Sequence, residues 1–160
     1  MAITQAMATS FKVEILTAYH NFGTAPTRGT GAADTFKIAL YTSAATLNDA
    51  TTSYAVGTPA GEVAAGGNYT TGGNTLTIAQ VPTSTTGAGG SGTTTAWLDF
   101  ADTTWSAATI TANGAMIYNS TQGNRTVCVL AFGGDKTSTL GDFTIIFPTP
   151  NNTSAIIRIA

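Results

Sequence analysis

The residue types that most often carry catalysis are few and scattered in this sequence. His20 is the only histidine and Cys128 the only cysteine, so no second residue of either type offers the spacing of a zinc site. A histidine-based triad also needs a nucleophile and a carboxylate beside the imidazole in space. We expect His20 at the end of a helix, where the negative end of the helix accounts for it. We expect Cys128, inside an apolar run, to be a buried and unreactive thiol.

Four aspartates are the remaining candidates for an ion or acid–base site. Asp99 and Asp102 are close in sequence, and Asp135 and Asp142 flank one predicted loop. Carboxylates together with loop carbonyls could bind a hard cation such as calcium. However, the sequence has no EF-hand or nonapeptide pattern, and Asp is also a common turn residue. For a two-carboxylate glycosidase, the neighbouring charges are too few to distinguish the acid from the base.

Two further patterns have a functional and a structural interpretation. The glycine-rich residues 87–92 match the dinucleotide-binding spacing, but that site needs a strand before it and a helix after it. Here a Pro/Ser/Thr segment precedes and a strand follows, so we interpret it as a loop. Trp97 and Trp105 could form a sugar-binding platform, although singly spaced aromatic residues in strands more often belong to the core. We therefore predict no catalytic residue, no cofactor site and no metal site, and expect that the protein is not an enzyme.

The elements around these residues are mostly strands. Apolar runs of five to ten residues, separated by Gly/Asn/Pro clusters, indicate an antiparallel meander over residues 110–147. Residues 126–132 are apolar on both faces, which predicts a strand that is covered on both sides. Turns are predicted at residues 102–106 and 119–124, and a loop at residues 133–142. With further strands at residues 34–42, 74–81, 96–100 and 155–159, the predicted fold is an all-β antiparallel sandwich, jelly-roll-like, of eight or nine strands.

One amphipathic helix is predicted near the N-terminus. Phe11, Ile15, Tyr19 and Phe22 recur at helical spacing, with Leu16 widening the stripe. Ser10 is the expected N-cap and Gly23 the expected end of the helix. Residues 1–9 are interpreted as a possible N-terminal arm or a disordered end.

The composition limits the class of partner. With 160 residues the chain is most simply one domain, residues 1–160. Charged residues make up 9% of the chain, where about a quarter is typical. The six basic residues are dispersed, so we expect no nucleic-acid binding. No apolar run or basic amphipathic stretch indicates a membrane, and the absence of a signal-peptide pattern predicts folding in a reducing cytoplasm.

Several segments resemble a group of tailed-bacteriophage virion proteins. They are residues 34–42, 105–112, 114–119, 132–136 and 141–145, together with the helix start at residues 10–12 and the final residues 156–159. The resemblance implies a structural virion component of the capsid decoration (cement) type. Such proteins are β-rich, often trimeric and bound where capsomers meet. The expected partner is therefore the major capsid protein, in a homo-oligomer with a trimer favoured. The expected location is the capsid surface of the virion, after assembly in the host cytoplasm; no interface residue is implied.

Two alternatives remain open at this stage. A tail- or fibre-associated receptor-binding virion protein (an adhesin) would use Gly/Thr loops to contact host glycans, and exposed Trp97 and Trp105 would favour it. A hydrolytic enzyme would require His20 within hydrogen-bond reach of a carboxylate and a hydroxyl nucleophile in one cleft.

Overall fold

The computed structural model describes residues 2–23, 33–85 and 92–160. Strands make up 52% of the chain and helix 6%, in two antiparallel sheets with one short helix. This confirms the predicted fold class and is consistent with an all-β sandwich that carries one helix. In chain order the elements are β1 (Ala6–Met7), α1 (Thr9–Leu16), β2 (Phe36–Tyr41), β3 (Asn74–Leu76), β4 (Ile78–Thr85), β5 (Gly92–Phe100), β6 (Thr103–Asn119), β7 (Arg125–Ile145) and β8 (Ile157–Ile159).

The contacts within the chain divide it into two compact units that alternate along the sequence. Unit 1 consists of Met1–His20, Asp34–Thr75 and Thr104–Thr144, and unit 2 of Asn21–Ala33, Leu76–Thr103 and Ile145–Ala160. The larger sheet has the strand order β1-β7-β6-β2-β3, and the smaller sheet the order β4-β5-β8. This division does not test the prediction of one domain, which stays a prediction.

The core of unit 1 forms where β2 pairs with β6. The two strands are antiparallel, with Phe36 opposite Asn119 and Tyr41 opposite Gly114. Large side chains from both strands are fully buried, because the sheet is covered on both faces at this point. Residues 126–130 of β7 are also all buried, as the apolar run predicted.

The strands β6 and β7 are longer than the sequence suggested. The predicted turn at residues 102–106 and the predicted loop at residues 133–142 are both wrong, because residues 103–106 belong to β6 and residues 133–142 to β7. The polar composition of these residues reflects the exposure of the two strands and does not indicate a turn or a loop. Side chains of the two strands bond to each other in the exposed part of the ribbon, as in the Asn113–Asp135 contact of 2.8 Å and the Thr104–Thr144 contact of 2.9 Å.

Helix α1 is present, but it is shorter than predicted and buries different residues. It begins at Thr9 and no side chain caps it, so the N-cap assignment to Ser10 is wrong. It buries Phe11 and Glu14, whereas Leu16 is 86% exposed. The predicted apolar stripe therefore does not describe the inward face.

The helix also ends well before Gly23. The Tyr19 N–H donates to the Glu14 carbonyl at 2.9 Å, and the Ala18 N–H donates to the Ile15 carbonyl at 3.1 Å. Ala18 has a positive φ of 57°, so these bonds form a Schellman motif with alanine where glycine is usual. Tyr19 and Phe22 consequently lie outside the helix.

The N-terminal residues that the structure describes bond to unit 1. In β1, Ala6 pairs with Val129 and Met7 with Cys128. The Thr4 N–H donates to the Leu47 carbonyl at 2.9 Å, and the Thr9 N–H to the Asp49 carbonyl at 2.8 Å. These contacts place α1 beside the start of β7.

Unit 2 has its own aromatic core on the β4-β5-β8 sheet. The Phe100 ring contacts the rings of Phe22 and Phe147, with centroids 6.4 and 6.0 Å away. The predicted strand at residues 74–81 is divided into β3 and β4, and the last strand begins at Ile157. In the part of the chain that the structure describes, no helix has the length and apolar character needed to span a membrane.

Candidate functional site

The tryptophans and the cysteine are buried. Trp97 and Trp105 both lie in the core, as expected for singly spaced aromatic residues in strands, so the alternative of a sugar-binding platform has no support. Cys128 is a free and buried thiol, and burial raises its pKa to about 12. At neutral pH this thiol is protonated, as expected for an unreactive cysteine.

Each of the four aspartates accepts a hydrogen bond within its own unit. Asp99 and Asp102 accept backbone N–H groups from Phe100 and Phe147, each at 2.8 Å. Burial raises the pKa of Asp99. Asp135 accepts from the Asn113 amide and Asp142 from the Ala107 N–H. Within residues 2–23, 33–85 and 92–160, no three His, Cys, Asp or Glu side chains are grouped as metal ligands would be.

The glycine-rich segment lies largely outside the described residues. Of residues 87–92, the structure describes Gly92, which begins β5. The interpretation of residues 87–92 as a loop therefore stays a prediction.

A buried polar cluster in unit 1 joins α1 to the turn between β6 and β7. We name it the Glu14 network; its members are Glu14, His20, Asp34, Asn119 and Arg125. The Glu14 carboxylate accepts from His20 Nε2 at 2.7 Å and from the Arg125 guanidinium at 2.6 Å. Asn119 Nδ2 lies 3.0 Å from His20 Nδ1 and 2.7 Å from Asp34 Oδ2. The network thus ties the segment after α1 to β7 and to the start of β2.

The hydrogen bonds of Asn119 determine the tautomer of His20. Asn119 Oδ1 accepts the backbone N–H groups of Thr121 and Gln122, at 3.1 and 3.2 Å. Its Nδ2 is therefore the end that faces His20 and donates, so Nδ1 of His20 must accept. The proton of a neutral imidazole then lies on Nε2, which donates it to Glu14. Every donor in this chain of contacts meets an acceptor.

The electrostatics of the site favour this neutral imidazole. The His20 side chain is fully buried, and burial lowers its pKa from the ordinary value of 6.5. The hydrogen bond and negative charge of Glu14, and then the charge of Asp34, oppose that effect, whereas Arg125 adds to it. A second proton on Nδ1 would also point at the Asn119 amide donor.

This arrangement differs from a hydrolytic triad. The structure does bring a carboxylate to His20, which sequence spacing alone did not show. However, the two ring nitrogens bond to Glu14 and Asn119, so neither is aimed at a hydroxyl that it could activate. Ser10 lies one helical turn from Glu14, and its buried Oγ has no hydrogen-bond partner among the described residues. The geometry fits an anchor for the helix better than an acid–base centre.

A half-open cavity of about 550 Å³ lies against the Glu14 network. We name it the Tyr19 pocket; its lining residues are Ser10, Glu14, Tyr19, Thr52, Ser53, Thr121, Gln122, Gly123 and Arg125. Tyr19 is 46% exposed, and the Arg125 guanidinium carbon lies 4.4 Å from the centroid of its ring. Sequence analysis missed this pocket because three distant segments form it.

A second polar cluster holds the core of unit 1 together. The Glu62 carboxylate accepts from the hydroxyls of Tyr54 and Tyr69, at 3.0 and 2.9 Å, and from the Gly72 N–H. The Tyr118 hydroxyl donates to the Gly72 carbonyl at 2.8 Å. Burial, aided by Glu62, raises the pKa of Tyr54 to about 12, so this hydroxyl stays a donor at neutral pH. We assign this cluster a structural role, because each polar group bonds within the core.

No protein-family model matches the chain, and neither the curated proteins nor the solved structures compared with it include a match. The fold and the sites described above are therefore the basis for a functional proposal.

Proposed function

We propose that the chain is a structural protein of a tailed-bacteriophage virion, of the capsid decoration type. It would bind the assembled shell of the major capsid protein and stabilise it. The sequence resemblance supports the virion assignment. The exposed face of α1 supports a role in contacts between proteins, and it is the observation that carries the proposal.

Helix α1 exposes two apolar side chains while it buries a charged one. The charged Glu14 is 6% exposed, whereas the apolar Val13 and Leu16 are 59% and 86% exposed. Val13 and Leu16 are three residues apart, so their side chains are neighbours on one helix face. We name this pair the helix face. Water contact at these two side chains is unfavourable, and burying them against a partner would recover that free energy.

The charge distribution supports a contact that does not depend on ion pairs. The chain has 6 basic and 8 acidic residues, and Glu14 and Arg125 already pair with each other. Binding through the helix face would therefore depend little on ionic strength, because salt screens charges but not apolar burial.

Binding to the assembled shell alone would also account for a stabilising effect. A protein that binds the assembled state and not free subunits shifts the equilibrium towards assembly. A symmetric homo-oligomer, with a trimer favoured, would present three helix faces to a point where capsomers meet.

The test is a co-sedimentation assay with heads that lack this chain. The double variant Val13→Ser and Leu16→Ser should lose at least about tenfold in affinity, because two exposed apolar contacts are removed. Val56 is 77% exposed in another part of unit 1, so Val56→Ser is a matched control that should bind like the wild type. All three proteins should unfold at similar denaturant concentrations.

Two outcomes would contradict the proposal. Equal binding by the double variant and the wild type would show that the helix face does not take part in the contact. Failure of the wild type to bind heads at any salt concentration would contradict the decoration function itself.

A further inference from the structure

The geometry points to the Tyr19 pocket as a binding site for a neutral saccharide of one or two sugar rings. The pocket lies in unit 1 and is formed by α1 and the residue segment after it, by residues 52–53, and by the turn before β7. This inference does not rest on the proposed shell binding, since it concerns the isolated chain.

The charge inside the pocket favours a neutral ligand. Two formal charges line it, those of Glu14 and Arg125, and they form an ion pair of 2.6 Å. A ligand anion would compete with Glu14 for Arg125, and a ligand cation would compete with Arg125 for Glu14. Either exchange would leave a partly buried charge without its partner, which is costly.

The remaining lining groups suit a ligand with many hydroxyls. Thr52, Ser53 and Thr121 are exposed and supply hydroxyl groups that can donate or accept. The several hydroxyl groups of a sugar ring can each donate to or accept from such side chains.

One aromatic ring gives the pocket its apolar surface. Arg125 covers part of the Tyr19 ring, and nearly half of this residue remains exposed. The C–H face of a pyranose ring is apolar while its edges carry hydroxyls, so it can pack on an aromatic ring while its edges bond to polar groups. A fully apolar ligand would fit this pocket less well, because few of the lining groups are apolar.

The pocket has the size and rigidity that binding requires. Its volume of about 550 Å³ lies within the range of about 300–1,000 Å³ that is usual for small-molecule sites. Glu14 and Arg125 are held by the network, and Thr121 Oγ1 is fixed by the Thr35 N–H at 2.8 Å. Groups that are already ordered lose less entropy when a ligand binds.

The test is a titration of the ¹⁵N-labelled chain, followed by amide NMR shifts. The probes are the methyl glycosides of glucose, galactose, mannose, N-acetylglucosamine and N-acetylgalactosamine, each up to about 50 mM. We expect at least one probe to shift the amides of Tyr19, Thr52 and Thr121 in a saturable manner. Glucuronate and glucosamine, which carry charge, should bind more weakly than their neutral counterparts.

Two variants distinguish stacking from a general effect on the fold. Tyr19→Ala should weaken binding by about two- to tenfold, the range expected for loss of an aromatic contact. Tyr19→Phe keeps the ring and should retain most of the affinity.

Four results would overturn the inference: no shift of the pocket amides with any probe, equal affinity of Tyr19→Ala and the wild type, tighter binding of the charged sugars, and pocket shifts that follow protein concentration. The last result would show that a second copy of the chain fills the pocket. None of these results bears on shell binding, which depends on Val13 and Leu16.

Discussion

Asn119 is the residue that sets the chemistry of the Glu14 network. Its side-chain oxygen is held by the backbone N–H groups of Thr121 and Gln122, so its amide nitrogen must face His20. A neutral imidazole in this site therefore carries its proton on Nε2. A turn in the backbone thereby orients an amide that bonds to a side chain 99 residues away.

The lowered pKa of His20 makes the stability of the fold depend on pH. In the unfolded chain His20 titrates near pH 6.5, and in the folded chain its pKa is lower. Between these two values the unfolded state binds more protons, so the free energy of unfolding should decrease as the pH falls through this window. Denaturant unfolding between about pH 7.5 and pH 5 measures this dependence.

His20→Gln is the matched control, because glutamine keeps one donor and one acceptor but does not titrate. The variant should lack the loss of stability that the wild type shows just below pH 6.5. Identical pH profiles of the two proteins would contradict the lowered pKa of His20 in the folded chain.

At the residue scale, little of this site could be predicted from the sequence. His20 is a candidate because it is the only histidine, but its partner Asn119 is 99 residues away in the sequence. Sequence spacing does not reveal contacts between residues that are brought together only by the order of the strands in the sheet. The burial of Cys128, by contrast, followed directly from its apolar neighbours.

At the scale of elements, the end of α1 shows how tertiary contacts replace local signals. Glycine is the usual residue at the left-handed position of a Schellman motif, and the sequence has Ala18 there. The helix still ends at this point, because Glu14 and Tyr19 are fixed by the network and by Arg125.

Ala18→Gly should therefore stabilise the chain by about 0.5–1 kcal/mol, since glycine adopts a positive φ without a steric penalty. Ala64 is exposed and has no positive φ, so Ala64→Gly is the control and should be neutral or destabilising. Denaturant midpoints at constant m-value measure both changes. Equal effects of the two substitutions would contradict the Schellman assignment.

The strands were predictable where one or both faces are buried. The alternation at residues 34–42 and the apolar run at residues 126–132 both correspond to strands, β2 and the first part of β7. The second half of β7 was missed, because residues 133–142 are largely exposed and their polar composition is also typical of a loop. The composition of a segment indicates whether it is exposed, but not whether its backbone pairs with another strand.

At the scale of the whole molecule, the chain combines few charges with an apolar helix face. Its formal net charge is −2, and Leu16, Leu140 and Ile146 are each more than three-quarters exposed. Single exposed apolar residues are common on proteins, so the proposal of contacts with neighbours rests on the adjacent pair Val13 and Leu16. The predicted β-rich, single-helix content is confirmed, whereas the capsid location and the trimer stay proposals.

Quantitative mass spectrometry of purified, tail-free heads, from the phage that we propose encodes the chain, is the most direct test of the proposed function. The proposal predicts many copies per head, in a fixed ratio to the major capsid protein, and none in isolated tails. Absence of the chain from heads, or a few copies confined to tails, would contradict it.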